Sequence, residues 1–169
     1  DATTSSFDKS ESKTITNNLT LRWDIWKGFY LTGSFSYSLS DSQSDKFVSP
    51  DHSSFETETD PGKRGSYFIS NMRGKSWQAR IGLTYSKTLS DNGSILTLNV
   101  GANANKSNSN SNSFSGIGFL KGNLTDMAFA NSYPTNGQPS GSESLSSSVG
   151  VFGNLNIIFL NRYFVDGSY

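Results

Sequence analysis

Leu19-Thr20-Leu21-Arg22-Trp23-Asp24-Ile25-Trp26-Lys27-Gly28-Phe29-Tyr30-Leu31-Thr32-Gly33-Ser34-Phe35-Ser36-Tyr37-Ser38-Leu39 is the stretch that decides the fold of this chain. Leu19, Leu21, Trp23 and Ile25 take alternate positions, and Thr20, Arg22, Asp24 and Trp26 take those between. A period of two places the first set on one face of a β-strand and the second on the other. The alternation halts at Lys27-Gly28, where glycine admits a positive φ. It resumes with Phe29, Leu31, Gly33, Phe35, Tyr37 and Leu39 against Tyr30, Thr32, Ser34, Ser36 and Ser38. The stretch predicts a long hairpin with one apolar face.

Downstream the pattern recurs twice. Trp77, Ala79, Ile81, Leu83 and Tyr85 alternate with Gln78, Arg80, Gly82, Thr84 and Ser86. The chain then turns at Ser90-Asp91-Asn92-Gly93 and returns as Leu96, Leu98, Val100, Ala102 and Ala104 against Thr97, Asn99, Gly101 and Asn103. Asn-Gly between alternating runs is a strong hairpin signal. A fifth run carries Val149, Val151, Gly153, Leu155, Ile157 and Phe159, turns near 160–162, and gives way to a sixth strand from Tyr163. Phe152 and Ile158 interrupt the polar face of the fifth run. Tyr67 to Ser70 reads either as an extension of the third strand or as a short strand of its own. Two polar stretches, at about 40–65 and 105–147, read as long loops.

Composition narrows the class. Among 169 residues, 14 Lys plus Arg balance 14 Asp plus Glu, which leaves no basic excess for neutralising phosphates and excludes a generic nucleic-acid binder. No Cys and one His leave little for thiolate or imidazole chemistry, whether catalytic or metal-binding. The apolar fraction is only 33%, with 32 Ser and 16 Asn, yet 13% of the residues are aromatic, which argues for an ordered all-β chain rather than disorder. There is no apolar run long enough for a transmembrane helix and no signal-peptide pattern at Asp1 to Ser12.

Loop lengths carry the next step. The connections at 27–28, 90–93 and 160–162 are short, while those at 40–65 and 105–147 are long. In an up-and-down order every short turn falls at one end and every long loop at the other. This is how outer-membrane β-barrels place periplasmic turns and extracellular loops. One face is free of charge and the other carries Arg22, Asp24, Arg80 and Asn99. Aromatic residues gather beside the short turns, as at a membrane interface. The fold expected is an antiparallel transmembrane barrel segment of about six strands. Six are too few to close a membrane barrel, so residues 1–169 read as part of a larger one. The alternative is a secreted soluble β-sandwich acting as a carbohydrate-binding module. Charge placement separates the two: arginine at Leu83 or Leu98 should block membrane assembly, and arginine at Thr84 should be tolerated better.

Ser76-Trp77-Gln78-Ala79-Arg80-Ile81-Gly82-Leu83-Thr84-Tyr85-Ser86-Lys87-Thr88-Leu89, Ser115-Gly116-Ile117-Gly118-Phe119, Ser148-Val149-Gly150-Val151-Phe152-Gly153-Asn154-Leu155-Asn156 and Asn161-Arg162-Tyr163-Phe164-Val165 together resemble the barrel of SusC-like TonB-dependent transporters. The resemblance spans most of the chain from about Thr14. It implies a barrel of about 22 strands with a plugged lumen. It also implies import of oligosaccharides or peptides across the outer membrane of Bacteroidota, energised by the TonB complex and capped by a SusD-like surface lipoprotein. The partners implied are the rest of the barrel, the plug, the lipoprotein, TonB, outer-membrane lipid and the nutrient. No plug domain is read within these residues, no enzymatic activity or cofactor is implied, and no family site residue carries over.

Catalytic, cofactor and metal residues are accordingly expected to be none, and substrate-binding residues stay unassigned. Several groups are nonetheless candidates. His52 lies near Asp51, Glu56, Glu58 and Asp60, in a spacing that matches no calcium loop. The Lys106 to Ser113 tract, with Phe114, Phe119, Phe129 and Tyr133, offers amides, hydroxyls and rings to a sugar or to a lipoprotein lid. Arg22, Asp24 and Arg80 are expected to pair with one another or with the plug. No pair of carboxylates has the separation that glycosidase chemistry demands. Glycosylation sequons at Asn18, Asn92, Asn105 and Asn123 follow from the Asn, Ser and Thr content and would be silent in a bacterium.

Overall fold

The structure, a computed structural model, describes residues 5–90, 93–160 and 162–169. β1 (Phe7–Trp26), β2 (Phe29–Val48), β3 (Ser66–Ser90), β4 (Ser94–Ile117), β5 (Ser140–Phe159) and β6 (Tyr163–Ser168) lie in one antiparallel sheet in sequence order. A sandwich needs a second sheet facing the first, and the described strands form one. Pairing of β5 with β6 sets Phe159 opposite Tyr163, Ile157 opposite Val165 and Asn154 opposite Ser168. β1 and β6 are the two edges of the sheet, which is not closed.

The strands are longer than the hydrophobic alternation marks. β2 runs to Val48, β4 to Ile117, and β5 begins at Ser140, so the loops read at 40–65 and 105–147 contract to 49–65 and 118–139. The Ser-Asn tract is strand, and Tyr67 to Ser70 extends β3 rather than forming a strand of its own. Alternation is visible only where one face is apolar. Past Leu39 both faces are polar, and pairing persists through cross-strand contacts such as Lys46 with Asp8 at 3.5 Å, Arg73 with Asp41 at 3.6 Å and Ser113 with Ser140 at 2.7 Å. β3 has 25 residues.

The short first turn has the conformation its residues suggest. Gly28 has φ of 78° and its carbonyl accepts the Ser86 amide at 2.6 Å, while a Cβ there would run into the Ser86 carbonyl. Gly93 also has φ of 78°. Asp91, Asn92 and Asn161, on which the other two turn readings rest, lie outside the described residues.

Two compact units divide the residues: Asp1–Ile15, Leu39–Gly74 and Ser109–Ser144 make one, and Thr16–Ser38, Lys75–Asn108 and Leu145–Tyr169 the other. The first contains the buried hydrophobic residues, Phe47 and Phe119, among those described. Phe119 meets Phe47 edge-on at 5.2 Å between centroids, with Phe7 and Tyr67 beside them. Backbone bonds from Phe119 N to the Arg64 carbonyl (2.8 Å) and from Gly118 N to the Gly65 carbonyl (3.2 Å) join the two long connections over this cluster.

Candidate functional site

The second unit has two unlike faces. On one, hydroxyls and amides bond across strands. Thr32 donates to the Gly82 carbonyl at 3.3 Å, and the Thr84 hydroxyl donates to Asn99 Oδ1 at 2.5 Å. Asn99 Nδ2 in turn donates to Asn154 Oδ1 at 2.8 Å, and Ser86 meets Thr97 at 3.3 Å. These contacts tie β2, β3, β4 and β5 into one polar wall. Such bonds matter because a half-desolvated polar group without a partner costs about 1–3 kcal/mol.

On the other face lie the apolar members of each run, and they are exposed. Leu19 is 68% exposed and Val149 80%, with Leu21, Trp23, Ile81, Leu98, Val100, Val151 and Leu155 also open. A water-soluble domain does not leave a contiguous apolar surface of this extent uncovered. At the first turn, Trp26 stacks on Phe29 at 4.3 Å, and Phe29 meets Tyr85 at 6.2 Å, which puts amphipathic rings at one end of the apolar face. No helix among the described residues is long and apolar enough to cross a membrane.

The charged candidates separate. Arg22 pairs with Asp24, its Nη2 donating at 2.9 Å and its Nε at 3.1 Å, and the guanidinium lies over the Tyr30 ring at 4.1 Å. Arg80 does not join them. It stacks on Phe152 at 4.4 Å from the centroid, so the residue that interrupts the polar alternation of β5 is seated on that wall as a cation platform. The sequence carried a signal for this that periodicity alone does not weigh: Gly82 and Gly101 leave the polar face open where the ring sits. A Cβ on Gly101 would clash with Phe152, being 2.8 Å from Cε1. Thr84, which was expected to accept arginine, is only 7% exposed and bonded to Asn99, so Gln78 is the better position on this face.

In the first unit, His52 caps a 3₁₀ turn at Ser53–Phe55, its Nδ1 accepting the Ser54 amide at 3.1 Å. Asp60 caps Pro61–Lys63 by accepting the Gly62 amide at 2.9 Å, and Glu58 Oε1 accepts the Asp60 amide at 3.0 Å. These side chains hold the connection at 49–65, and the described residues bring no group of three such side chains into a metal-holding arrangement. Of the loop rings, Phe119 is buried and unavailable to a ligand. Phe114 and Tyr133 remain open and line a concavity with Met127 and Ala130, while Phe129 is also exposed. Within the tract, Asn112 donates to Asn110 at 3.1 Å. Of the sequons, Asn105 in the second unit accepts from the Ser148 hydroxyl at 2.6 Å, Asn18 lies on β1, Asn123 lies in the second long connection, and Asn92 is outside the described residues. Burial in the aromatic cluster, with Asp45 and Asp126 adding to it, raises the Tyr67 phenol above its ordinary value. Lys13 beside Glu11, at 2.7 Å, lowers that carboxyl.

No family model matches the sequence, and neither does any curated protein. Solved structures do match. Against the RagAB peptide importer in its open-open state the TM-score is 0.79 at 16% identity, over 97% of this chain and 17% of that one. The chain has the fold of part of that importer. The closed-closed state of the RagAB importer gives 0.77 and a further RagAB peptide transporter structure 0.74, each at 16% identity and over 97% of this chain. This chain thus spans less than a fifth of the RagAB chains it matches, 17–18%. At that identity the likeness shows how the strands are arranged.

Proposed function

We propose that the chain is a length of wall and surface loop in a SusC-like TonB-dependent importer of the outer membrane. One observation carries the reading: a single sheet with apolar side chains exposed along one face and hydrogen-bonded hydroxyls and amides along the other. The wall separates lipid from a polar interior. Its edges, β1 and β6, pair with further strands of a closed barrel, because open edges in lipid leave backbone groups unbonded at several kcal/mol each. The connection at 27–28 faces the periplasm, and those at 49–65 and 118–139 face outward, where a SusD-like lipoprotein closes the barrel. The RagAB likeness favours peptides over oligosaccharides as cargo.

Two measurements test this. Native mass spectrometry after detergent extraction should find the chain in an assembly much larger than its 18.4 kDa. Uptake of a labelled oligopeptide should be lost when the encoding gene is deleted, and restored on complementation. A soluble, folded monomer of 18.4 kDa without detergent would overturn the barrel reading. Uptake loss confined to an oligosaccharide would keep the barrel and change the cargo.

A further inference from the structure

Arg22 and Arg80 are two uses of one device. Arg22 sets its guanidinium carbon over the Tyr30 ring and directs its Nε and Nη2 at Asp24. The two interactions do not compete, because stacking uses the plane of the cation and hydrogen bonding its perimeter. Arg80 repeats the first half on Phe152 at 4.4 Å. Among the described residues no carboxylate lies within ion-pair distance of it.

Its neighbours present donors as well. Arg80 lines a concavity of about 320 Å³ with Thr84, Asn99, Phe152 and Asn154. The hydrogen bonds there run in one direction, from Thr84 to Asn99 and from Asn99 to the oxygen of Asn154. That order leaves the Asn154 amide N–H groups at its end. A guanidinium edge and an amide N–H together select a planar, acceptor-only group, which among common groups is a carboxylate.

We propose that Arg80, seated on Phe152, forms a carboxylate-binding site on this wall and takes an acidic group from outside the chain, as Arg22 takes Asp24 from within it. The proposal rests on the reading of this face as the inner wall of an importer. The carboxylate belongs either to a polypeptide segment lying against the wall or to the terminus of a transported peptide. Phe152 is a positioning residue, and Gly101 leaves room for it.

The test uses the complete transporter carrying Arg80→Lys, treated in detergent with a water-soluble carbodiimide. This reagent couples an amine to a contacting carboxylate as an amide and takes up the water lost as a urea. Gln78→Lys, on the same face two residues away, is the control, and heat-modifiable migration reports barrel assembly in both variants. Linkage from position 80 to an acidic residue elsewhere in the transporter, about tenfold above position 78, identifies a polypeptide source. Linkage to added tetra-alanine, with none to its C-terminal amide, identifies the transported peptide. No excess at position 80 in assembled protein overturns the proposal and leaves the barrel intact. Loss of the barrel reading itself, by the native-mass test above, overturns both. Arg80→Gln supplies a second readout in case lysine does not assemble. A urea midpoint lowered further than in Phe152→Leu, which removes the cation–ring contact alone, or loss of preference for free-acid over amide peptide in uptake, supports the site. Absence of both contradicts it.

Discussion

Gly28 holds a φ of 78° and approaches the Ser86 carbonyl so closely that no Cβ fits. Left-handed backbone costs an L-residue about 1–2 kcal/mol before any clash is counted. Gly28→Ala should therefore lower the unfolding free energy by at least that amount, read across a urea series from the heat-modifiable band, and an unchanged midpoint would contradict the assigned turn. Tyr67 makes a pH prediction. Its phenol is raised by burial, so the contribution depends on the neutral form. A group whose pKa rises on folding stabilises fully below its unfolded value and loses that contribution as pH climbs through the folded one. The aromatic cluster should thus loosen above the ordinary tyrosine range of about 10. Ultraviolet titration of wild type against Tyr67→Phe reads this as a late-ionising tyrosine that disappears in the variant. The glycine turn at Lys27-Gly28 and the apolar alternation were legible in the sequence because each acts locally. Arg80 on Phe152 was not, since that contact joins β3 to β5 through the space left by Gly82 on β3 and by Gly101 on β4, the strand between them.

Among the elements, β2 and β4 show where sequence reading stops. The apolar alternation of each ends near Leu39 and Ala104, although the backbone pairing continues. Periodicity reports the medium on each side of a strand, and where water lies on both sides it falls silent while the hydrogen bonds persist. For β3 the two faces should differ sharply in tolerance. Ile81→Arg should cost about 2–4 kcal/mol of membrane stability and Gln78→Arg little, measured by refolding into lipid vesicles. Equal effects would remove the lipid-facing assignment. The long connections form an element too, because Phe119 joins them over Phe47, Phe7 and Tyr67. Burying a phenylalanine and then deleting it costs about 3–5 kcal/mol in a packed site. Phe119→Ala should release the connection at 118–139 to limited proteolysis at least tenfold faster, while β3 and β4 near their turn stay protected. A cut rate equal to wild type would mean that the cluster does not hold the loop.

For the molecule as a whole, the proposed role requires a single sheet to divide two media, with lipid against the exposed Leu21, Ile81 and Val149 and a polar interior against Arg80, Asn99 and Asn154. The six-strand order and the alternation of short and long connections were readable because they need only chain order and loop length. The identity of the cargo was not, because nothing in a wall segment names what passes it. The most direct test places single spin labels at successive positions 77 to 84 of β3 in the assembled transporter. The chain contains no cysteine, so each label reports one site within it. Collision with oxygen, which concentrates in lipid, should peak at 77, 79, 81 and 83 and fall at 78, 80, 82 and 84. Oxygen accessibility that is uniform along the strand, or highest at the even positions, would contradict the account.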